Sequence, residues 1–314
     1  MTLNANELST YLHGTLTFAP TQNGVIPYRF PENFRDYVET FENYAASAAG
    51  IHLSFETDAS SVRLDCAVVQ TCDTSVPAAF DVLVNGVLRH HDFAVSEGEQ
   101  TITFDLKAPG KVDIWLPYQA EVELRSLELI NASYCKKADE NRKKCLFLGD
   151  SITQGSTCEY PSLTIAATIS RTMDLELLNQ GIGGYSHRKS FVQQLDFAPD
   201  VIFVALGTND PSWPQAECRD VYGFYEKLNA LYPDVPTAVI TPYKRYREYD
   251  SEKMDEIVSQ IRECASKRKN TILIDGREVS AHIPSFYSDG LHPNTMGTQF
   301  IAAQFLRELK TLEF

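Results

Sequence analysis

The sequence lacks the features of a membrane-spanning or disulfide-stabilised protein. No apolar run approaches the roughly 18 residues that a membrane-spanning helix requires. The seven cysteines are odd in number and scattered without paired spacing, which predicts reduced thiols and a cytoplasmic location. Residues 1–9 contain neither a basic residue nor an apolar core, so no signal peptide is predicted. No Cys or His spacing resembles a zinc site, so no metal is predicted.

Basic residues are also scarce. The net charge is −14, with 28 Lys and Arg against 42 Asp and Glu, which argues against nucleic acid and anionic membranes as partners. Residues 1–135 hold 7 basic and 18 acidic residues, a charge of −11, whereas the remainder holds 21 and 24, a charge of −3. This asymmetry fits two units of different character. The sequence makes no prediction of the oligomeric state.

In residues 1–135, apolar and polar residues alternate in several short stretches that are separated by turn signals. This pattern predicts an all-β domain. Asn85-Gly86 predicts a hairpin turn. A change of phase between Leu124 and Leu127 predicts a β-bulge. Strands at this spacing favour a sandwich resembling a jelly roll. Residues 136–144 carry charges without apolar periodicity and predict a linker.

Residues 145–314 instead predict strands that alternate with helices, which is typical of a parallel sheet in a flavodoxin-like three-layer α/β/α fold. The predicted strands lie at 145–148, 175–179, 200–206, 236–241 and 271–275. The predicted helices lie at 161–173, 187–196, 217–231, 251–268 and about 295–312.

Four polar segments follow predicted strands or precede the last helix, where they would meet at one edge of the sheet. They are Gly149-Asp150-Ser151, the glycine-rich stretch from Asn179 to Gly184, Gly207-Thr-Asn-Asp210, and Asp289-Gly-Leu-His292. Each segment offers a group that acyl transfer needs, and none of these roles requires a metal or an organic cofactor.

A serine needs an adjacent base before it can act as a nucleophile. His292 can take the Ser151 proton, and Asp289 can hold the other imidazole nitrogen. The oxyanion of the transition state needs donors already in place. The backbone N–H of Gly184, the side chain of Asn209 and the Ser151 amide can supply them. An ordinary strand-to-helix turn is the alternative interpretation of the serine segment alone.

These four segments resemble, in order, the blocks of the GDSL or SGNH hydrolases. The resemblance covers about residues 145–314 and implies Ser151 as nucleophile, Asp289 and His292 as its partners, and Gly184 and Asn209 as oxyanion-hole donors. Gly183 is an alternative backbone donor, but the family pattern favours Gly184. A β-sandwich placed before such a domain is similar to two-domain carbohydrate esterases and to some bacterial acyltransferases.

The resemblance implies a serine esterase, most simply an O-acetyl esterase for a carbohydrate or another small acylated substrate. Alternatives are an acyltransferase with the same triad, a general short-chain lipase-like esterase, and a non-catalytic glycan-binding protein. Trp213 and Tyr243 are candidate substrate contacts. Arg245, Tyr246 and Arg247 either bind a polar leaving group or form a charged surface loop.

Overall fold

The computed structural model describes residues 1–35, 41–72, 75–92, 96–138, 141–212 and 219–311. The chain forms two compact units. Unit 1 comprises Met1–Arg142 with Glu159–Ser162, and unit 2 comprises Lys143–Cys158 with Leu163–Phe314. Among the helices of the described residues, none has the length and apolar character needed to cross a membrane.

Unit 1 is built mainly of antiparallel strands. Its strands are β1 (Thr2–Asn4), β2 (Leu12–His13), β3 (Thr17–Pro20), β4 (Val25–Tyr28), β5 (His52–Thr57), β6 (Ser61–Thr71), β7 (Phe80–Val84), β8 (Val87–Asp92), β9 (Gly98–Asp105), β10 (Gly110–Trp115), β11 (Ala120–Ile130) and β12 (Cys135–Lys137). Its short helices are α1 (Ala5–Ser9), α2 (Glu32–Arg35) and α3 (Glu42–Ala46).

The strands of unit 1 form two sheets. The first has the order β3-β4-β11-β6-β9, with β1 also paired to β11, and the second has the order β12-β5-β10-β7-β8, with β2 paired to β5. Both sheets contribute to one hydrophobic core, which includes Leu64 and Leu127 of the first sheet and Phe55 and Ile114 of the second. Alternate residues of these strands are therefore removed from water.

Two local predictions for unit 1 are confirmed. Asn85 and Gly86 both have positive φ, 52° and 77°, and they connect the paired strands β7 and β8. This backbone matches the twist of a two-residue hairpin. The pairing of β11 with β6 shifts register between Leu124 and Ser126, where the phase of the apolar pattern changes.

The predicted linker, 136–144, overlaps regular structure at both ends. β12 ends at Lys137, and the next strand begins at Lys143. Both ends are strands because Lys136 and Lys137 pair with β5, whereas Lys143 and Lys144 pair with the strand that begins at Leu175. Edge and end positions of sheets accept lysine, so charge alone did not mark these residues as irregular.

Unit 2 contains a parallel sheet with connecting helices. Its strands are β13 (Lys143–Gly149), β14 (Leu175–Gly181), β15 (Val201–Ala205), β16 (Thr237–Ile240) and β17 (Thr271–Ile274). Its helices are α4 (Ser151–Gln154), α5 (Ile165–Thr172), α6 (Val221–Leu231), α7 (Ser251–Lys267), α8 (Gly276–Val279) and α9 (Thr295–Glu308).

The sheet order is β14-β13-β15-β16-β17, and every pair is parallel. The chain thus moves one way from β13 to β14 and the other way afterwards, which is the flavodoxin-like order. α5 packs with α9, and α6 packs with α7.

The helix predicted at 187–196 is wrong. This segment contains only a short 3₁₀ turn, Lys189–Phe191. Its apolar residues are buried as they would be in a helix, but its carbonyls bind side chains instead of helical N–H groups. The carbonyl of Ser190 accepts a hydrogen bond from the side chain of Gln193, and the carbonyl of Gln193 accepts one from Tyr232 Oη at 2.7 Å. Apolar spacing alone did not distinguish the two arrangements.

Candidate active site

Ser151 lies where β13 turns into α4. β13 ends at Gly149, and Asp150 caps the helix by accepting a bond from the Ile152 amide at 3.0 Å. A Cβ on Gly149 would lie 2.0 Å from Thr153 Oγ1, so this turn closes tightly only with glycine. Ser151 is the first helical residue, whose N–H has no partner within the helix. The expected strand-to-helix turn is therefore present, with the serine at its centre.

His292 and Asp289 complete a chain of hydrogen bonds from Ser151. The Ser151 Oγ lies 2.9 Å from His292 Nε2, and His292 Nδ1 lies 2.9 Å from Asp289 Oδ2. The two residues lie 141 and 138 positions beyond the serine, so only the fold brings the three together. Hydroxyl, imidazole and carboxylate at these distances can transfer a proton from the serine to the ring.

The loop itself fixes the carboxylate. Asp289 Oδ1 accepts from the amides of Leu291 at 2.9 Å and His292 at 2.8 Å, while Gly290 turns the chain with φ of +77°. Burial alone would raise the pKa of Asp289, but the hydrogen bonds from the backbone and ring of His292 and from Leu291 outweigh it and lower the pKa to about 2. Asp289 therefore stays ionised and keeps the Nδ1 proton of His292 in place.

The candidate oxyanion donors follow adjacent strands. Gly149 is paired with Gly181 of β14 and with Ala205 of β15, so the three following loops start at the same level of the sheet edge. The N–H of Gly183 donates to Gln154 Oε1 at 2.7 Å, and Gly184 follows with φ of +76°. The Gly183 amide therefore already has a partner within the protein.

Asn209 is held by the neighbouring loop. Its Nδ2 donates to the Tyr185 carbonyl at 3.0 Å. An amide nitrogen carries two hydrogens, so this bond fixes the side chain and leaves a second hydrogen for a ligand.

A buried pair that the sequence did not reveal joins the same two loops. His187 Nδ1 lies 2.9 Å from Asp210 Oδ1, and both side chains are fully buried. The His187 ring also packs edge-on against Phe224, with 5.1 Å between ring centroids. The missed signal was a histidine after one glycine-rich loop and an aspartate after the next.

Asp150 is buried beside Ser151. Burial raises its pKa to about 7, and the negative charge of Asp210 acts in the same direction. The hydrogen bonds from the Ile152 amide and the Thr208 hydroxyl oppose this rise. Asp150 thus holds the turn through its bond from the Ile152 amide.

Of the two candidate substrate contacts, the structure describes only Tyr243. Trp213 lies outside the described residues. Tyr243 is buried, with its ring edge-on to Phe305 at 6.1 Å between centroids, and burial followed by the charge of Asp150 raises the pKa of its hydroxyl. Within the described ranges, no three or more His, Cys, Asp or Glu side chains are grouped as a metal site would require.

Residues 147–300 match the GDSL-like lipase/acylhydrolase family. No curated protein is significantly similar in sequence to this chain. The structure is similar to salicylyl-acyltransferase SsfX3 from a tetracycline biosynthetic pathway, with 19% identity, coverage of 99% of this chain and 97% of that chain, and a TM-score of 0.80.

Two family two carbohydrate esterases are also similar. The enzyme from Cellvibrio japonicus has 16% identity, coverage of 99% of this chain and 97% of that chain, and a TM-score of 0.70. The enzyme from Clostridium thermocellum, in complex with cellohexaose, has 16% identity, coverage of 95% and 98%, and a TM-score of 0.66. At these identities the likeness concerns the fold.

The family match over residues 147–300 supports an esterase with an α/β fold. More particularly, the chain carries a GDSL-like, SGNH-type acylhydrolase domain, as the order of its sequence blocks implied.

Proposed function

We propose that this protein is a serine O-acetyl esterase that acts on a carbohydrate or another small acylated substrate through an acyl-enzyme. The observation that carries the proposal is the continuous chain of bonds from Ser151 through His292 to Asp289, with 2.9 Å at both steps. His292 Nε2 takes the Ser151 proton as Oγ attacks the ester carbonyl, and then returns it to the leaving alcohol. The same nitrogen next activates the water that releases the acid.

The tetrahedral intermediate carries its negative charge on the former carbonyl oxygen. The amides of Ser151 and Gly184 and the side chain of Asn209 are the proposed donors to this oxygen. The bonds of Gly183 to Gln154 and of Asn209 to Tyr185 support the proposal, because they hold the neighbouring backbone before substrate arrives. Donors that need no reorganisation stabilise the transition state most effectively.

The similarity of the fold to carbohydrate esterases supports a sugar ester as the substrate. We also propose that unit 1 is a jelly-roll-like sandwich and that the protein is cytoplasmic. Trp213 and Tyr243 remain proposed substrate contacts. An acyltransferase with the same triad is the second candidate, because the fold is also similar to a salicylyl-acyltransferase. The two activities differ in whether water or an alcohol accepts the acyl group.

The test is hydrolysis of 4-nitrophenyl acetate, butyrate and octanoate, together with acetate release from acetylated oligosaccharides. Ser151→Ala and His292→Ala should each abolish turnover. Ser170→Ala is the matched control, because Ser170 is a buried serine whose Oγ donates to a carbonyl of its own helix, that of Ala167.

Activity confined to acetate and present on sugars supports the acetyl esterase. A preference for longer chains indicates a lipase-like esterase, and turnover that needs an added alcohol indicates the transferase. Near-normal activity in Ser151→Ala or His292→Ala contradicts the triad.

A further inference from the structure

A short cationic segment borders the triad loop. Residues Lys244–Arg247, here called the basic segment, place three cations within four residues in the connection from β16 to α7. The whole chain carries a net charge of −14. These three cations therefore contrast with the negative net charge of the chain.

The backbone of the basic segment is bound to the triad loop. The amides of Tyr246 and Arg247 both donate to the Gly290 carbonyl, at 2.7 and 3.0 Å. Gly290 directly follows the triad aspartate, Asp289. The Tyr246 ring also packs edge-on against Tyr287, with 5.2 Å between centroids. These contacts fix the position of the basic segment relative to the triad.

The Arg245 side chain reaches the loop that follows β15. Its Nη1 donates to the carbonyl of Thr208, the residue before Asn209, at 3.3 Å. Its guanidinium lies 4.7 Å from the centre of the Tyr249 ring. The Nε is buried and has no hydrogen-bond partner in the part of the chain that the structure describes. A buried N–H without an acceptor is costly, and an anion would satisfy it.

Arg247 adds a second cation beside the triad loop. Its Nη1 lies 4.0 Å from Asp289 Oδ2, and its side chain is 59% exposed. Asp289 already accepts three bonds from Leu291 and His292, so it serves Arg247 only as a distant partner. Burial lowers the pKa of Arg245 and the charge of Arg247 lowers it further, whereas Tyr249 and Asp289 act in the opposite direction.

The other carboxylates of this loop do not neutralise the pair. Asp250 caps α7 through the Lys253 amide and lies 3.4 Å from the Lys253 ammonium, and Glu248 is exposed to solvent. Two guanidinium groups whose neighbouring carboxylate, Asp289, is already hydrogen-bonded to Leu291 and His292 can bind a further carboxylate or phosphate.

We infer that Arg245 and Arg247 form a subsite for an anionic group of the ester, a carboxylate or a phosphate, next to the bond that is cleaved. The inference rests on the proposed esterase function and narrows its substrate to anionic esters. The anionic group belongs either to the acyl part or to the leaving alcohol, and the two arms of the test distinguish these sources.

The first arm compares mono-4-nitrophenyl succinate with its methyl ester, so that only the charge of the acyl part differs. The second compares 4-acetoxybenzoate with its methyl ester, so that only the charge of the leaving alcohol differs. The readout is the ratio of kcat/KM for the anionic ester to that for the neutral ester. The wild type should prefer the anionic ester in one arm by about tenfold, and 0.5 M salt should reduce this preference.

Arg245→Gln should lower that ratio about tenfold, and Arg247→Gln about threefold because its side chain is more exposed. Arg245→Lys, which retains the charge but loses the planar fork, should lie between wild type and Arg245→Gln. Lys267→Gln is the matched control: it removes one positive charge at the far end of α7, where Lys267 pairs with Glu263. Its ratio should equal that of the wild type.

The inference is overturned if the ratio is at or below one in both arms, or if neither arginine variant changes it. In that case, Ser151-dependent turnover of the neutral esters still supports the proposed esterase function. If no ester is hydrolysed, calorimetric binding to the Ser151→Ala protein still decides. 4-Hydroxybenzoate and succinate are the anionic probes, and methyl 4-hydroxybenzoate is the neutral one. Tighter binding of an anionic probe that disappears with Arg245→Gln supports the subsite, and equal binding of anionic and neutral probes overturns it.

Discussion

Replacing Asp289 with asparagine tests whether the carboxylate sets the proton position on His292. Oδ1 accepts two backbone N–H groups, from Leu291 and His292. In the asparagine variant this position must therefore remain an oxygen, and the new NH₂ group must face His292 Nδ1. That nitrogen would then accept a hydrogen bond, and the ring proton would move to Nε2, which lies 2.9 Å from Ser151 Oγ.

Two effects add to the expected loss. The imidazolium that forms during attack loses an ionic hydrogen bond, which contributes about 1.5 kcal/mol because the Asp289 side chain is 42% exposed, or roughly tenfold in rate. The wrong tautomer adds a larger factor, because a protonated Nε2 does not accept the serine proton. In the serine protease triad the same exchange lowers kcat by about 10⁴. We expect a loss on the order of 10³ to 10⁴ in kcat for Asp289→Asn.

The assay is kcat on 4-nitrophenyl acetate, with the melting temperature as the test of folding. Ser151→Ala and His292→Ala should lose more, on the order of 10⁶, since they remove reacting groups. Asp275→Asn is the control, because Asp275 caps α8 through the Arg277 amide in the same way without lying in the triad. A kcat within threefold of wild type in a folded Asp289→Asn protein would refute the reasoning.

Two further predictions concern the turns that hold the nucleophile. The raised pKa of Asp150, about 7 against about 4 when unfolded, means that the native state retains its proton while the unfolded state releases it. The free energy of unfolding should therefore fall by up to about 4 kcal/mol as the pH rises from 4 to 7. In urea unfolding at several pH values, Asp150→Asn should remove most of this dependence on pH. An unchanged dependence in the variant contradicts the raised pKa of Asp150. In Gly181→Ala the new Cβ would lie 2.3 Å from the Gln154 backbone nitrogen, so we expect a loss of about 3 kcal/mol or more, measured by urea unfolding. Gly86→Ala, which meets open space at φ of +77°, should lose only about 1–2 kcal/mol, and equal losses in the two variants contradict the steric argument.

The sequence predicted the parallel sheet well because its strands are short apolar runs. Val201–Ala205 is buried along its whole length, and such a run between turn signals has few other interpretations. The predicted strands at 145–148, 175–179 and 271–275 each overlap an observed strand. The positions of Ser151 and His292 at the sheet edge followed from this alternation, since parallel strands bring their carboxyl ends to one side.

The sequence did not predict which side chains bond across the loops. The 187–196 segment has the apolar spacing of a helix, but its carbonyls are bound by the side chains of Gln193 and Tyr232. Contacts of this kind depend on residues far apart in the chain, which a local pattern does not contain. Arg245 illustrates the same limit: the sequence left it as either a ligand contact or a surface charge, and only the fold places it against the Thr208 carbonyl.

The loops around Ser151 are fixed to one another before any substrate is present. Gln154 of the nucleophile helix binds the Gly183 amide, Asn209 binds the carbonyl of Tyr185, and Asp210 binds the ring of His187. Each bond joins residues after two different strands, so no single loop can move alone. Buried polar pairs like these hold their geometry because breaking one leaves unpaired groups away from water. The proposed oxyanion site is therefore held by bonds between these loops, and its geometry depends on the sheet as much as on the four sequence blocks.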